Sequence, residues 1–389
     1  MFGVDCLKCK GRLWCGLPQC PILSKIRLKK EIKLKKEYKS TTAGVFVGWH
    51  GYPNVFGGVL TPYNHAKPLS PKDWASKNFS IINVMNYLSS VIHPRKKISI
   101  RDRRFGELIT KSALTYRPLS VDVSLKKVPE LKISFNLHAQ PFGPSADVKE
   151  LKVNDDPKMK KAVSRVYYDN DLKANDAITY LYSHKVGIYD IIPLLSAGAV
   201  GVEKNRKLVP TRWAITAADD LLAKNLMDDV RNFPVLDHFI VFHGGHLGNI
   251  ITVILLPRQW SYELIEEWNK GAVFAEKHQI VSDFEGFNGR KDYASNTTGG
   301  YYASRLPVVE WLFSHKIQAS ALVIRQVTKE YYMPLGVWVV REAVRKALKN
   351  PKHINDRKLM LSFAQKLTGI DLRLSKLIRE RQTNLNIFI

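Results

Sequence analysis

Three features are scarce in this 389-residue chain, and each scarcity excludes a class of protein. The longest apolar run, residues 250–256, is far shorter than the roughly 20 residues that a membrane-spanning helix needs. The N-terminus lacks a charged start followed by an apolar stretch, so no secretory signal is expected. Acidic residues are also few, with 35 Asp+Glu against 60 Lys+Arg. We therefore expect a cytoplasmic protein with no membrane partner.

The composition is that of a folded protein with a strongly basic surface. Hydrophobic residues make up 45% and aromatic residues 10%, which excludes a mostly disordered basic tail protein. The formal charge is +25, and phosphate polymers are the usual partners of such a charge. A Lys-rich thermophilic surface is the alternative, but it is normally rich in Glu as well. We expect DNA as a partner and an association with the nucleoid.

All four cysteines, Cys6, Cys9, Cys15 and Cys20, lie within the first twenty residues. Their spacing is C-x2-C-x5-C-x4-C, and four thiolates at such short spacing suit the tetrahedral coordination of Zn²⁺. Two disulfides or an iron–sulfur cluster are the alternatives. We predict a zinc module over residues 1–24, in which the metal supplies most of the folding energy.

A basic segment follows the cysteines. Residues 25–39 contain eight basic and two acidic residues. This pattern is typical either of a segment that contacts DNA phosphates or of a solvated linker. We predict a basic linker over residues 25–42, a core domain over 43–350 and a basic helical region over 351–381.

The core has signals for helices and strands that do not alternate strictly, which favours an α+β fold over a doubly wound sheet. Ser70, with Pro71 and Asp73, forms a capping pattern for a helix that continues to about residue 91. Further helices are predicted over residues 106–114, 172–184, 216–230, 262–269, 300–315 and 336–349. Strands are predicted over residues 97–100, 120–126, 130–135, 239–243, 248–256 and 318–327.

The last residues contain a short peptide pattern after a predicted helix over residues 372–379. The pattern is Gln382-x-x-Leu385-x-x-Phe388-Ile389, which resembles the peptide that binds the sliding clamp of DNA replication (PCNA). One helical turn brings Leu385, Phe388 and Ile389 to one face that fills an apolar pocket. Ile389 departs from the pattern, because a second aromatic residue is usual there. A frayed tail is the alternative for residues 382–389.

Several acidic and basic residues are candidates for a catalytic site. Two carboxylates can hold Mg²⁺ or Mn²⁺ for attack at phosphorus. Asp283 and Glu285 would share one face of an extended segment. Asp219, Arg212 and Arg305 are the further catalytic candidates. The alternative for Asp219 is a place in the first turn of a helix, where a carboxylate favours the helix dipole.

A glycine pair opens the predicted helix at residue 300. Gly299, Gly300 and Tyr301 would present backbone N–H groups to an anion, with Arg290 and Arg305 nearby. This arrangement predicts a nucleotide or DNA-phosphate site, and the aromatic ring suits base stacking. Helix capping and packing are the alternative.

Several segments together resemble the archaeal Nre proteins. They are the cysteine module from Cys9 to Leu23, Phe46-Val-Gly48, Gly51-Tyr-Pro53, Pro141-Phe-Gly-Pro-Ser-Ala146, Asp171-Leu-Lys-Ala-Asn-Asp176, Val209-Pro-Thr-Arg-Trp-Ala-Ile-Thr216, Gly299-Gly-Tyr-Tyr-Ala-Ser-Arg-Leu306 and Pro334-Leu-Gly-Val-Trp338. The resemblance spans essentially the whole chain. It implies a DNA repair protein that binds the sliding clamp, and it implies no particular reaction. A metal-dependent nuclease or lesion-processing enzyme and a nucleotide-binding regulator are the alternative functions.

Overall fold

The computed structural model describes residues 9, 11–14, 20, 34–63, 67–130, 143–272, 275 and 277–379. Their contacts divide the chain into two units. Unit 1 comprises the described residues up to Leu222 together with Met333–Leu335. Unit 2 comprises the described residues of Ala223–Tyr332 and those from Gly336 onward.

Six strands form the sheet of unit 1, in the order β1-β5-β6-β4-β3-β2. They are β1 (Glu37–Thr41), β2 (Gly44–Val47), β3 (Asn54–Pro62), β4 (Val91–Ser99), β5 (Ser120–Leu125) and β6 (Ser145–Val153). The β4–β6 pair is parallel and the other pairs are antiparallel. In β5, Val121, Val123 and Leu125 alternate into the core, as a strand with one buried face requires. The predicted strand over residues 120–126 is therefore confirmed.

Helices cover this sheet. They are α1 (Pro71–Ser76), α2 (Ile81–Ser89), α3 (Arg103–Leu114), α4 (Lys161–Tyr168), α5 (Ala174–Ser183), α6 (Ile188–Ser196) and α7 (Thr211–Val230), which continues into unit 2. The prediction of one helix from Ser70 to about residue 91 is wrong, because a second capping box begins at Ser80. The Ser80 hydroxyl accepts the backbone N–H of Asn83, and the Asn83 side chain accepts that of Ser80.

Helix α7 begins at Thr211, five residues earlier than predicted. Its first turn is closed by the N–H of Ala214, which donates to the carbonyl of Pro210 at 3.0 Å. Asp219 therefore lies in the third turn, where it is buried, and the interpretation of Asp219 as a first-turn carboxylate is wrong.

The sheet of unit 2 also has six strands, in the order β10-β9-β11-β8-β7-β12. They are β7 (Phe239–His246), β8 (Asn249–Leu256), β9 (Ser261–Trp268), β10 (Gln279–Glu285), β11 (Ser320–Val327) and β12 (Pro351–Ile354). The predicted helix over residues 262–269 is wrong, because this segment is β9. Its Glu-rich sequence favours a helix, but parallel pairing with β11 and antiparallel pairing with β10 decide for a strand.

The predicted hairpin over residues 239–256 is confirmed, but its turn lies elsewhere than the glycine pair. Leu247 and Gly248 form the turn, with φ of 50° and 73°, which is the positive φ that a two-residue hairpin loop needs. Gly244 lies within β7, where a Cβ atom would come 3.0 Å from the Cα atom of Ala347. That glycine therefore allows a helix to pack closely on the strand.

Among the described residues of unit 2, the α-helices after α7 are α8 (Gly299–His315), α9 (Trp338–Ala347), α10 (Arg357–Thr368) and α11 (Lys376–Arg379). The predicted helices over residues 300–315 and 336–349 are confirmed. Helices α10 and α11 bury Met360, Leu377 and Ile378 against Ile254 and Leu322 of the sheet. The fold class α+β is confirmed for both units. Among the described helices, none is long and apolar enough to span a membrane.

Candidate functional site

The two carboxylates predicted to share a strand face lie on β10. Asp283 and Glu285 are separated there by one residue, and both are buried. Their side chains leave the strand on the same side, because side chains alternate along a strand with a period of two. Arg290 follows the strand, and Tyr301 and Arg305 come from α8. The structure thus brings together five of the candidate residues within unit 2.

Asp283 holds the segment that leads into α8. One of its oxygens, Oδ2, accepts the backbone N–H of Thr297 at 2.8 Å, the hydroxyl of Thr297 at 2.8 Å and the backbone N–H of Asn296 at 3.0 Å. The other oxygen, Oδ1, pairs with Nη1 of Arg290 at 3.2 Å. Both oxygens are therefore engaged by groups of the protein itself.

Glu285 and Arg305 form an ion pair in the interior of unit 2. Nη1 of Arg305 donates to Oε2 of Glu285 at 2.6 Å, and both side chains are fully buried. The guanidinium carbon also lies 5.6 Å from the ring centres of Tyr301 and Tyr302, within cation–π range. Loss of the Arg305 charge would leave the Glu285 carboxylate buried without this partner, which is costly.

Tyr301 lies between the two arginines of this cluster. The guanidinium of Arg290 is 5.2 Å from the ring centre of Tyr301, in addition to the contact that this ring makes with Arg305. Burial raises the pKa of Tyr301, and the neighbouring carboxylate of Glu285 raises it further. Both effects favour the protonated phenol.

Gly300, at the start of α8, lies against a second buried ion pair. A Cβ atom on Gly300 would come 2.5 Å from Oε1 of Glu266, and that oxygen accepts Nη1 of Arg325 at 2.6 Å. The backbone N–H of Gly300 donates to the carbonyl of Thr297 at 3.2 Å. The first turn of α8 thus faces a carboxylate of the protein, whereas the anion-site hypothesis needs an external anion at Gly299, Gly300 and Tyr301.

Sequence reasoning missed Glu266, Arg325 and Glu263. The reason is the wrong helix prediction for residues 262–269. As a helix, this segment would not pair with β11, whereas as strand β9 it places Glu266 opposite Arg325. Glu263 accepts the N–H groups of Lys376 and Leu377, each at 3.1 Å, and so caps α11. The available signal was that Glu263 and Glu266 stand among apolar and aromatic residues in a segment of strand length. A glutamate that such a segment buries needs a partner within the protein.

In chemical terms this cluster is a set of matched charges. Each of Asp283, Glu285 and Glu266 has its own arginine within 3.2 Å. Within the described part of the chain, no group of three or more His, Cys, Asp or Glu side chains is placed to hold a metal ion. The Mg²⁺ or Mn²⁺ site on Asp283 and Glu285 therefore stays a prediction, and metal binding there would have to displace the arginines.

The remaining two catalytic candidates belong to unit 1, on α7. Arg212 is exposed, and its guanidinium lies 5.9 Å from the ring of Trp49. Asp219 is completely buried, two turns further along the helix. These two residues therefore occupy different environments, solvent for the arginine and the interior for the aspartate.

Cys9 is the best described of the four predicted zinc ligands. Its pKa is lowered chiefly by the backbone N–H of Trp14 and also by the N–H groups of Gly11, Arg12 and Leu13, although burial acts in the opposite direction. A ring of backbone donors around a sulfur atom favours the thiolate, which is the form that binds Zn²⁺. The donor set around Cys9 therefore fits a metal-binding thiolate.

The other predicted ligands and the clamp peptide are mostly beyond what the structure describes. Cys20 is described and half-buried, whereas Cys6 and Cys15 lie outside the described residues. So do Gln382, Leu385, Phe388 and Ile389. The zinc module and the clamp peptide therefore keep their standing as predictions.

Comparison with known families gives a match over most of the chain. The model described as "Archaeal Nre, N-terminal" matches residues 14–275, and the one described as "Archaeal Nre, C-terminal" matches residues 285–388. No solved structure matches this chain.

Three curated relatives carry the name DNA repair protein. The chain is 36% identical to DNA repair protein NreA of Archaeoglobus fulgidus, over 100% of this chain and 99% of that protein. It is 36% identical to DNA repair protein NreB of the same organism, over 88% of each chain. It is 35% identical to DNA repair protein NreA of Haloferax volcanii, over 82% of this chain and 80% of that protein.

Proposed function

The chain belongs to the archaeal Nre family, and from that premise we propose that it is a DNA repair protein which the sliding clamp recruits to DNA. The observation that carries the proposal is the 36% identity to a DNA repair protein over the full length of both chains. Likeness over the whole chain transfers a role more safely than likeness of one domain, because the same domains are present in the same order.

We propose that residues 382–389 are the contact with the clamp. Gln382 would enter a polar pocket, and Leu385, Phe388 and Ile389 would fill the apolar one as a single helical turn. An isoleucine buries less surface than the aromatic residue that usually ends this pattern. We therefore expect specific but moderate affinity, which an aromatic residue at position 389 would raise.

The test is a calorimetric titration of the clamp with the full chain. Removal of residues 382–389, or the change Phe388→Ala, should abolish binding. Asn384→Ala, which changes a spacer position of the same peptide, should bind like the parent protein. Ile389→Phe should bind more tightly. Equal affinity for the parent and the truncated chain would show that the peptide assignment is wrong.

We further propose that Cys6, Cys9, Cys15 and Cys20 bind one Zn²⁺, which would organise a small DNA-contacting module. The donors around Cys9 support this, and so does the side chain composition of the loop that follows. Trp14 is 53% exposed, with the guanidinium of Arg12 at 5.8 Å from its ring. An exposed aromatic residue and a cation together suit contact with a nucleic acid.

Metal analysis of the purified, reduced protein should give about one zinc per chain. Cys9→Ser should lower the zinc content, whereas Ser24→Ala, which changes a non-cysteine residue of the same module, should not. Iron in place of zinc would favour a cluster. Absence of any metal from the reduced protein would contradict the module.

A metal-dependent DNA-processing activity is the second candidate. The observation in its favour is that Asp283, Glu285, Arg290 and Arg305 converge in unit 2. Their tight pairing favours a structural role over a catalytic one, so we rank this candidate below recruitment. Incubation with abasic, nicked and flapped DNA plus Mg²⁺ or Mn²⁺ tests it, with Asp283→Asn and Glu285→Gln as the matched variants. Cleavage that both variants retain would exclude these carboxylates.

A further inference from the structure

Trp49, Tyr52 and Trp213 are three of the large aromatic side chains of unit 1 that are exposed, although aromatic residues are largely buried on average. Trp49 is 51% exposed, Tyr52 is 41% exposed and Trp213 is 45% exposed. Trp49 and Tyr52 come from the turn between β2 and β3, and Trp213 comes from the first turn of α7. We call these three residues the aromatic platform.

The members of the platform contact one another or share a neighbour. The rings of Tyr52 and Trp213 are 5.0 Å apart, centre to centre, with an interplanar angle of 52°. Trp49 lies 5.3 Å from the ring of His50, and the guanidinium of Arg212 lies 5.9 Å from Trp49. Because Arg212 precedes Trp213 on α7, it links the two tryptophans into one patch.

The backbone under the platform is held in place. The N–H of Val47, at the end of β2, donates to the hydroxyl of Thr211 at 3.0 Å. That hydroxyl also lies 2.9 Å from the hydroxyl of Ser196. The N–H of Gly48 donates to the carbonyl of Phe56 at 2.7 Å. These hydrogen bonds fix the backbone segments that carry the rings, and a preorganised site has a lower entropy cost of binding a ligand.

The charge around the platform is positive. The N–H of Ile100 donates to the carbonyl of Pro53 at 3.0 Å, and the N–H of Leu208 donates to that of Ile100 at 2.9 Å. These bonds place the exposed residues Arg101 and Lys207 next to the turn that carries Tyr52. Asp102 follows Arg101 in sequence, and its carboxylate caps α3 by accepting the backbone N–H of Phe105.

The same bias holds for the sequence of this region as a whole. Residues 1–222 contain 37 of the 60 Lys+Arg but only 19 of the 35 Asp+Glu. Exposed aromatic rings bordered by cations are the combination that binds single strands, since bases stack on rings while cations meet the phosphates. In duplex DNA the bases are stacked on one another, so their faces are not available for stacking on the protein rings.

We propose that the aromatic platform binds unpaired bases of single-stranded DNA, such as those exposed at a gap or a frayed end. This inference rests on the proposed function and adds the form of DNA that unit 1 recognises. Trp49, Tyr52 and Trp213 stack on bases, while Arg212, Arg101 and Lys207 meet the phosphates.

The experiment is a fluorescence-anisotropy titration of the full chain with a labelled thymidine oligomer of about twelve nucleotides. Trp213→Ala and Trp49→Ala should each weaken binding by about 5- to 150-fold, the range for loss of one stacked base. Trp213→Phe should retain most of the affinity, because it keeps a ring. Tyr116→Ala is the matched control, since Tyr116 is 51% exposed with Arg117 at 5.4 Å from its ring, outside the platform.

The ligand arms separate stacking from charge. An oligomer of the same length built of abasic nucleotides has the same phosphates without bases. It should therefore bind the parent protein more weakly than the thymidine oligomer binds Trp213→Ala, because it loses every stacked base and the variant loses only one. Arg212→Ala should lower the slope of log K against log salt by about 0.7, whereas Trp213→Ala should leave that slope unchanged.

The outcomes that overturn the inference are distinct from those that overturn the proposed function. If the parent protein binds duplex and single strands alike and the tryptophan variants lose nothing, the platform does not bind bases, while clamp recruitment stands. Tighter binding of the matching uridine RNA oligomer would overturn the assignment to DNA. A clamp titration that fails while Trp213→Ala still weakens single-strand binding would overturn the recruitment proposal alone.

Discussion

Arginines lie beside aromatic rings in both units, but in opposite environments. In unit 1, Arg212 is exposed beside Trp49. In unit 2, Arg305 is completely buried between Tyr301 and Tyr302, and its charge is matched by Glu285. The same pair of residue types therefore lies on the surface in one unit and in the core in the other. The presence of a buried carboxylate, rather than the arginine or the ring, decides between them.

The largest effect should follow from breaking the buried pair. Arg305→Met leaves the Glu285 charge buried without its partner, so we expect a loss of about 3–5 kcal/mol in the free energy of unfolding of unit 2. Urea denaturation followed by tryptophan fluorescence measures it. Arg373→Met is the control, because Arg373 is an 87% exposed side chain in an ion pair with Asp371, and it should leave the free energy of unfolding close to that of the parent protein.

A double variant sharpens the same prediction. Glu285→Leu combined with Arg305→Met removes both charges, so it should be more stable than Arg305→Met alone. A double variant as unstable as the single one would mean that packing, rather than the unpaired charge, causes the loss.

A smaller effect is expected at the start of α8. Gly300→Ala forces a Cβ atom toward Oε1 of Glu266, which the pair with Arg325 holds in place. We expect a loss of about 1–3 kcal/mol, the usual cost of overpacking a filled interior. Gly286→Ala should stay within about 0.5 kcal/mol, because a Cβ atom there meets no atom of the described residues within 4 Å. Equal losses in the two variants would contradict the tight contact.

The third effect depends on pH. Burial, with a further contribution from Arg95, lowers the pKa of His93 in unit 1 to about 3. Since the unfolded chain then binds a proton near pH 6.5 and the folded one does not, stability is full above that pH and is lost as the pH falls toward 3. We expect a loss of about 2 kcal/mol between pH 6.5 and pH 5. His93→Gln should flatten this slope, and an unchanged slope would exclude His93 as its cause.

The smallest effect should come from the surface of unit 1. Arg212→Ala and Trp213→Ala remove exposed side chains, so each should change the free energy of unfolding by no more than about 0.5 kcal/mol. Thermal denaturation checks this. A large loss in either variant would mean that these residues stabilise the fold, and the contrast with Arg305 would disappear.

Much of the fold could be predicted from local patterns, and the errors have identifiable causes. The alternation in β5 and the capping pattern at Ser70 were sufficient for those elements. The segment of β9 was misread because its glutamates favour a helix, and only pairing with two strands far away in sequence makes it a strand. The helix after Ser70 ends early because Ser80 caps a second one, a signal that the sequence also contained.

The candidate site divides in the same way. Strand alternation alone places Asp283 and Glu285 on one side of β10. The partners of these carboxylates could not be predicted, because Arg290 lies seven residues from Asp283 and Arg305 lies twenty from Glu285. The close approach of Gly300 to Glu266 required knowledge of which strand lies under α8.

The sequence by itself determined the positive charge, the cysteine cluster, the C-terminal peptide and the family, because each is a matter of residue type and spacing. Only the tertiary structure decided which charges are buried and which rings are exposed. The physical reason is that burial depends on contacts between distant segments. Arg305 and Arg212 have the same chemistry, yet one lies opposite a buried glutamate and the other faces solvent beside Trp49.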